Sequence, residues 1–179
     1  MTAARNEFLH FEERTSDHPF VEKVWRCHSD RNDSFLSVAA NSFEMALTRL
    51  RGETFLTFRG PETAATAIEC PAEGQWVGIR FKPGVFMPRF LPGSLRNHND
   101  VTLPSATARS FWLAGSALDY PNFDNAETFV KRLVKVGPPF ARLRRRRRAT
   151  TTPKQAILAL RTTPFRTGDR RDLRYVSTD

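Results

Sequence analysis

The stretch Glu44-Met45-Ala46-Leu47-Thr48-Arg49-Leu50, broken by Arg51-Gly52 and resumed in Thr54-Phe55-Leu56-Thr57-Phe58, decides the fold class. Two apolar runs of strand length flank a pair that ends in glycine. Glycine supplies the positive φ that a tight hairpin turn needs, so 44–50 and 54–58 are expected to pair antiparallel. Gly60-Pro61 ends the second run.

Working outward, Gln75 to Lys82 is the clearest strand. Val77, Ile79 and Phe81 alternate with Trp76, Gly78, Arg80 and Lys82, which assigns the first three to a core face. Phe20 to Cys27 reads as a strand opened by Pro19, Phe35 to Ala40 as another, and Thr63 to Ile68 as a weaker one. Between Pro83-Gly84 and residue 113 the sequence is rich in loop residues. It carries the aromatic anchors Phe86, Phe90, Phe111 and Trp112, and a loop of this length is expected to cover something, a small-molecule pocket being one alternative. One helix is well marked at about 124–136. Asp124 and Glu127 suit a capping-box start, and Ala126, Phe129, Val130, Leu133 and Val134 form one apolar stripe. Lys131, Arg132 and Lys135 face outward, and Gly137-Pro138-Pro139 stops the helix. The expected architecture is α+β and β-rich, with five to eight antiparallel strands in a barrel or sandwich.

The net charge of +9 is unevenly placed. Residues 1–137 carry 16 Lys and Arg against 16 Asp and Glu, whereas the 42 residues from Pro138 onward carry 12 against 3. The chain therefore divides into a β-rich domain at 1–137 and an Arg-rich tail at 138–179. All three Trp and all but two of the fifteen Phe precede the tail. With so little apolar surface to bury, the tail is expected to be mostly disordered. Arg144, Arg145, Arg146, Arg147 and Arg148 are candidate phosphate contacts, giving charge-driven, salt-sensitive affinity without base readout.

No apolar run approaches the ~20 residues that cross a bilayer, and the N-terminus lacks a signal-peptide stretch. A cytoplasmic protein without a membrane partner is expected. Cys27 and Cys70 then read as reduced, partly buried thiols, with a single disulfide as the alternative. Neither the cysteines nor His10, His18, His28 and His98 show metal-ligand spacing, so no metal and no cofactor are expected. No nucleophile elbow, HExxH, phosphate loop or dinucleotide motif is present, and no catalytic residue is assigned. The paired carboxylates Glu12-Glu13 and Asp30/Asp33 read as solvated surface. Trp25, Trp76 and Trp112 read first as core or loop anchors and alternatively, with Glu44, as the lining of a small-molecule pocket. For Glu44 itself an outward strand position is the favoured reading.

Several segments together resemble the N-terminal domain of bacterial AraC-type transcriptional regulators. They are Phe43 to Gly52, Arg59 to Thr63, Trp76 to Gly84, Asn99 to Pro104, Ser110 to Leu113 and Asn125 to Val130, spread over residues 7–137. The resemblance implies a cupin-like, effector-sensing or dimerising domain, hence a small-molecule effector and a homodimer. It also implies a following DNA-binding domain with two helix-turn-helix units. The 42 residues after Gly137 carry no amphipathic helix pair, and their abrupt change in composition is what a shifted reading frame or a truncation would give. Specific DNA binding is therefore not expected of this chain, and no base-contacting residue is assigned. The alternative is a stand-alone ligand-binding β-barrel whose basic tail binds nucleic acid non-specifically.

Overall fold

The computed structural model describes residues 8–136, apart from 92, 98 and 99, together with the backbone of 141–142. The described residues all fall in a compact unit spanning Met1–Arg144. Apart from the backbone of 141–142, the tail expected to be disordered lies outside the described residues, as do the Arg144 to Arg148 contacts.

The strands are β1 Leu9–Thr15, β2 Val21–Ser29, β3 Asp33–Ser37, β4 Glu44–Leu50, β5 Glu53–Arg59, β6 Thr66–Cys70, β7 Gln75–Phe81, β8 Val85–Phe86, β9 Val101–Leu103, β10 Ser105–Thr107, β11 Ser110–Leu113 and β12 Ser116–Asp119. Helix α1, Ala126–Val136, and a short β13, Ala141–Arg142, follow. The main sheet has the order β1-β2-β7-β4-β5-β9, and smaller sheets are formed by β10-β11-β12, β3-β6 and β13-β8. All pairs are antiparallel. The class is the β-rich one expected, with a single helix among the described residues. No sheet among those residues closes into a barrel, so the architecture is layered and open-edged. The thirteen described strands exceed the five to eight expected because β8 to β12 are only two to four residues long, too short to show a period of two in sequence.

The β4–β5 hairpin turns as its sequence dictates. Arg51 and Gly52 both take positive φ, 52° and 82°, the signature of a two-residue primed turn. A second hairpin, β11–β12, uses Ala114 and Gly115 in the same way, at 50° and 80°.

Alternation then sorts the main sheet into two faces. One carries Val24, Met45, Leu47, Leu56, Phe58, Ile79 and Phe81, which join Phe111, Leu113, Ala126, Phe129, Val130 and Leu133 in one core. The helix packs on this face in the expected phase, with Lys131, Arg132 and Lys135 exposed. Its N-terminus differs from the expected capping box. The helix starts at Ala126, and the Oδ1 of Asn122 accepts from the N–H groups of Asp124 and Asn125 at 3.0 and 2.8 Å. Glu127 is drawn away by a cation: Arg14 on β1 donates to its carboxylate at 2.5 and 2.9 Å and to the Phe123 carbonyl at 2.8 Å.

This bridge ties edge strand β1 to the helix and carries a pH signature. The hydrogen bond from Arg14, helped by backbone N–H and Ser16 donors, holds the Glu127 carboxyl from its ordinary 4.5 down to about 2. A carboxylate depressed in the folded state contributes fully above the unfolded value and is lost as pH falls through the folded one. The contribution therefore disappears between about pH 4.5 and 2. Acid-unfolding curves of Glu127→Gln should run flatter than wild type in that window, and parallel curves would contradict the assignment.

The 84–113 segment was expected to cover something, with closure of a pocket as the alternative. It caps the core. Val85, Met87, Leu95, Leu103 and Phe111 are buried there, and Phe90 stacks on Phe58 with centroids 4.8 Å apart. Of its aromatic anchors, Phe111 is buried and Phe86 and Phe90 pack partly buried against the core, whereas Trp112 is exposed. Gly60 marks the closest approach, because a Cβ there would lie 2.2 Å from the Leu95 carbonyl oxygen. Backbone cannot yield as a flexible side chain does, so Gly60→Ala should lose ~1–3 kcal/mol in urea denaturation. A neutral result would show that the 84–113 segment is free to shift.

Candidate functional site

The second face of the main sheet is polar and aromatic, and the β3–β6 ribbon covers it. The ribbon is held at its base by Ser29, which is buried: its hydroxyl donates to the Pro71 carbonyl and accepts from the Gly74 N–H at 3.2 Å. Asn32 Oδ1 accepts from the Ala72 N–H at 2.7 Å. Between ribbon and sheet lies a cavity of about 330 Å³.

Register explains which groups meet on its floor. Glu44 in β4 lies directly opposite Arg59 in β5 and Arg80 in β7. Its carboxylate is thus the middle of a cross-strand Arg–Glu–Arg row. Arg80 donates through Nε to Oε2 at 3.0 Å, and Arg59 Nη1 stands 3.9 Å from Oε1. Arg59 is also paired with Glu62 and Asp100, each at 3.3 Å. Trp25 in β2 pairs with Gly78 in β7, and its indole lies across that glycine to donate from Nε1 to Glu44 Oε2 at 3.0 Å. Only glycine permits this: a Cβ at 78 would sit 1.9 Å from the indole ring.

Glu44 is therefore buried, 7% exposed, in place of the outward position favoured from sequence. Two donors converging on one oxygen compensate its desolvation. Trp76 lines the same cavity from β7, its ring passing over Gly74. Ile68 and the rim residues Phe11, Leu36 and Val38 complete the apolar wall, and the last three are 54%, 66% and 78% exposed.

Of the four residues proposed from sequence, the fold brings Trp25, Glu44 and Trp76 together and leaves Trp112 elsewhere. Trp112 is on β11 in the three-stranded sheet, 47% exposed. Sequence reasoning missed Arg59 and Arg80, although the hairpin turn fixes the register that sets Arg59 opposite Glu44. Both thiols line the cavity as free cysteines. Burial, with smaller contributions from Cys70 and Glu44, pushes the Cys27 thiol up to about 12, and burial also raises Cys70. Neither is a thiolate at neutral pH, so neither is poised as a nucleophile.

The three cations that line the cavity are each paired, and the exposed Glu69 of β6 adds a fourth carboxylate to the three that pair with them. Lys23 pairs with Glu13 at 2.8 Å, Arg80 with Glu44, and Arg59 with Glu62. Such an arrangement sets an aromatic and aliphatic wall beside charged groups that largely pair with one another, a composition compatible with a small-molecule site. No helix among the described residues is long and apolar enough to cross a membrane. No family model, curated protein or solved structure matches the chain.

Proposed function

We propose that this chain is the effector-sensing domain of an AraC-type transcriptional regulator, and that its cavity under the β3–β6 ribbon takes an uncharged, partly aromatic small molecule. The single observation that carries the ligand reading is the cavity itself: Trp25 and Trp76 wall it, and its floor charges are already paired with one another. A charged ligand would have to break one of those pairs, whereas a neutral one need only displace water. The regulator class rests on the sequence resemblance between residues 43 and 130.

The site is one of binding rather than catalysis. Glu44 Oε2 accepts from Trp25 and Arg80 while Oε1 faces Arg59 Nη1 at 3.9 Å, so the carboxylate serves to hold the floor together. The thiols are held protonated.

A thermal-shift screen of small neutral aromatic compounds tests this directly. A ligand at 100 times its Kd adds ~2.7 kcal/mol of stability, which for a domain of this size raises Tm by roughly 5–10 °C. The rise should vanish in Leu36→Asp, a change at the exposed rim that leaves the floor intact. Equal shifts in wild type and Leu36→Asp would remove the cavity from the account. For the regulator class, DNA binding through the arginine run should disappear between ~50 and ~200 mM salt. Operator-selective binding that survives the higher salt would contradict that view of the tail.

A further inference from the structure

Two histidines that share no metal-binding spacing in sequence are brought face to face by strand register. His10 on β1 is the direct cross-strand partner of His28 on β2. Their rings stack with centroids 4.5 Å apart and an interplanar angle of 16°. Asp30 follows the end of β2, where its backbone N–H donates to the Phe8 carbonyl at 3.0 Å and folds the turn back over the start of β1. Its carboxylate then meets both rings: Oδ2 lies 2.6 Å from His10 Nε2, and Oδ1 lies 3.7 Å from His28 Nε2. The three potential ligand atoms lie within 4.8 Å of one another, on the opposite face of the sheet from the cavity.

We propose that His10, His28 and Asp30 form a surface site for one divalent transition-metal ion, with Zn²⁺ as its probe. Two imidazoles and one carboxylate are a donor set suited to zinc, with a water completing a tetrahedron. Around such an ion, with bonds of about 2.0–2.1 Å, neighbouring donors stand roughly 3.3 Å apart. His10 Nε2 and Asp30 Oδ2 must therefore separate slightly, while His28 Nε2 closes in on the carboxylate. The rings must also splay from their stack so that each lone pair meets the ion. All three side chains are more than half exposed, which leaves them room to rotate. The backbone, by contrast, is fixed by the β1–β2 ladder and the Asp30 turn, so little order remains to be imposed.

Binding would clamp edge strand β1 to β2 and to the turn after it. Edge strands are paired on one side only, so a cross-link there restrains fraying. The consequence is a β1 strand whose amide exchange slows when the metal is present.

The test is calorimetric titration of the chelator-treated full chain with Zn²⁺ alone. One ion per chain is expected. His10→Ala and His28→Ala remove a ligand outright, so each should lose no less affinity than the ~10- to 100-fold typical when only a ligand's hydrogen-bonding partner is removed. Cys27→Ser and Cys70→Ser should bind as wild type does. No stoichiometric binding, or binding that is lost with the cysteines and kept in His10→Ala and His28→Ala, overturns the proposal. Should a variant fail to fold, imidazole NMR of the wild-type chain decides. Zn²⁺ must move the His10 and His28 resonances and leave the buried His18 in place, and a shift at His18 instead would equally refute the site.

Discussion

Glu44→Ala is expected to cost ~3 kcal/mol, the lower end of the range for removing one partner from a buried ion pair. The loss has two parts. Arg80 and the Trp25 indole N–H would each lose the acceptor to which they now donate at 3.0 Å, and the side chain's own volume would be vacated. The lower end applies because the Arg80 side chain is 28% exposed and can recover some hydration. Glu44→Gln should cost less, since an amide oxygen still accepts from one donor at a time. Urea denaturation of the two variants checks the order, read as a shift in midpoint at constant slope. A Glu44→Ala variant as stable as wild type would mean that the Arg–Glu–Arg row is a solvated surface feature.

Phe58→Ala should be at least as damaging, at ~3–5 kcal/mol for a fully buried aromatic. Phe58 is wholly inaccessible, stacks on Phe90 and sits on β5, which pairs with β4 on one side and β9 on the other. Truncation would open a cavity beneath the 84–113 segment at the point where that segment is fastened to the sheet. The measured loss separates two roles for the segment. A loss in the stated range means it is part of the core, whereas a loss below ~1 kcal/mol would mean that it collapses into the space as a loosely held cover.

How far the fold was legible depends on the physics of each element. The β4–β5 hairpin, β7 and α1 were readable because each carries its own period and its own stop: Arg51-Gly52, Pro83-Gly84, and Gly137 with two prolines. Strands β8 to β12 were not, because two to four residues cannot display alternation. The β3–β6 ribbon was hidden for a different reason. Its two strands are visible as separate runs, but Ser37 and Thr66 pair across a long intervening stretch that includes the whole β4–β5 hairpin. Sequence reasoning therefore sought the cavity's cover in the 84–113 segment.

The site was legible in part. Trp25, Trp76 and Glu44 are unusual enough in their strands to be noticed one by one. Their convergence depends on register across three strands, and the burial of Glu44 depends on Arg80, 36 positions away. Trp112 has the same composition signal as the other tryptophans and a different neighbourhood, which sequence alone cannot separate. In the His10–His28–Asp30 cluster, His28 and Asp30 are two residues apart in sequence, and the β1–β2 pairing brings His10 to them.

The central claim, that the space between the ribbon and the main sheet receives a neutral aromatic ligand, is tested most directly by fluorescence titration with N-phenyl-1-naphthylamine, an uncharged probe, in the Trp112→Phe background. In that background Trp25 and Trp76 are the only tryptophans, and both line the cavity. Saturable one-to-one binding is expected, with tryptophan emission quenched as probe emission rises, and both signals should be lost in the added Leu36→Asp variant. Probe binding that leaves tryptophan emission unchanged, or that persists undiminished with Leu36→Asp, would contradict the claim.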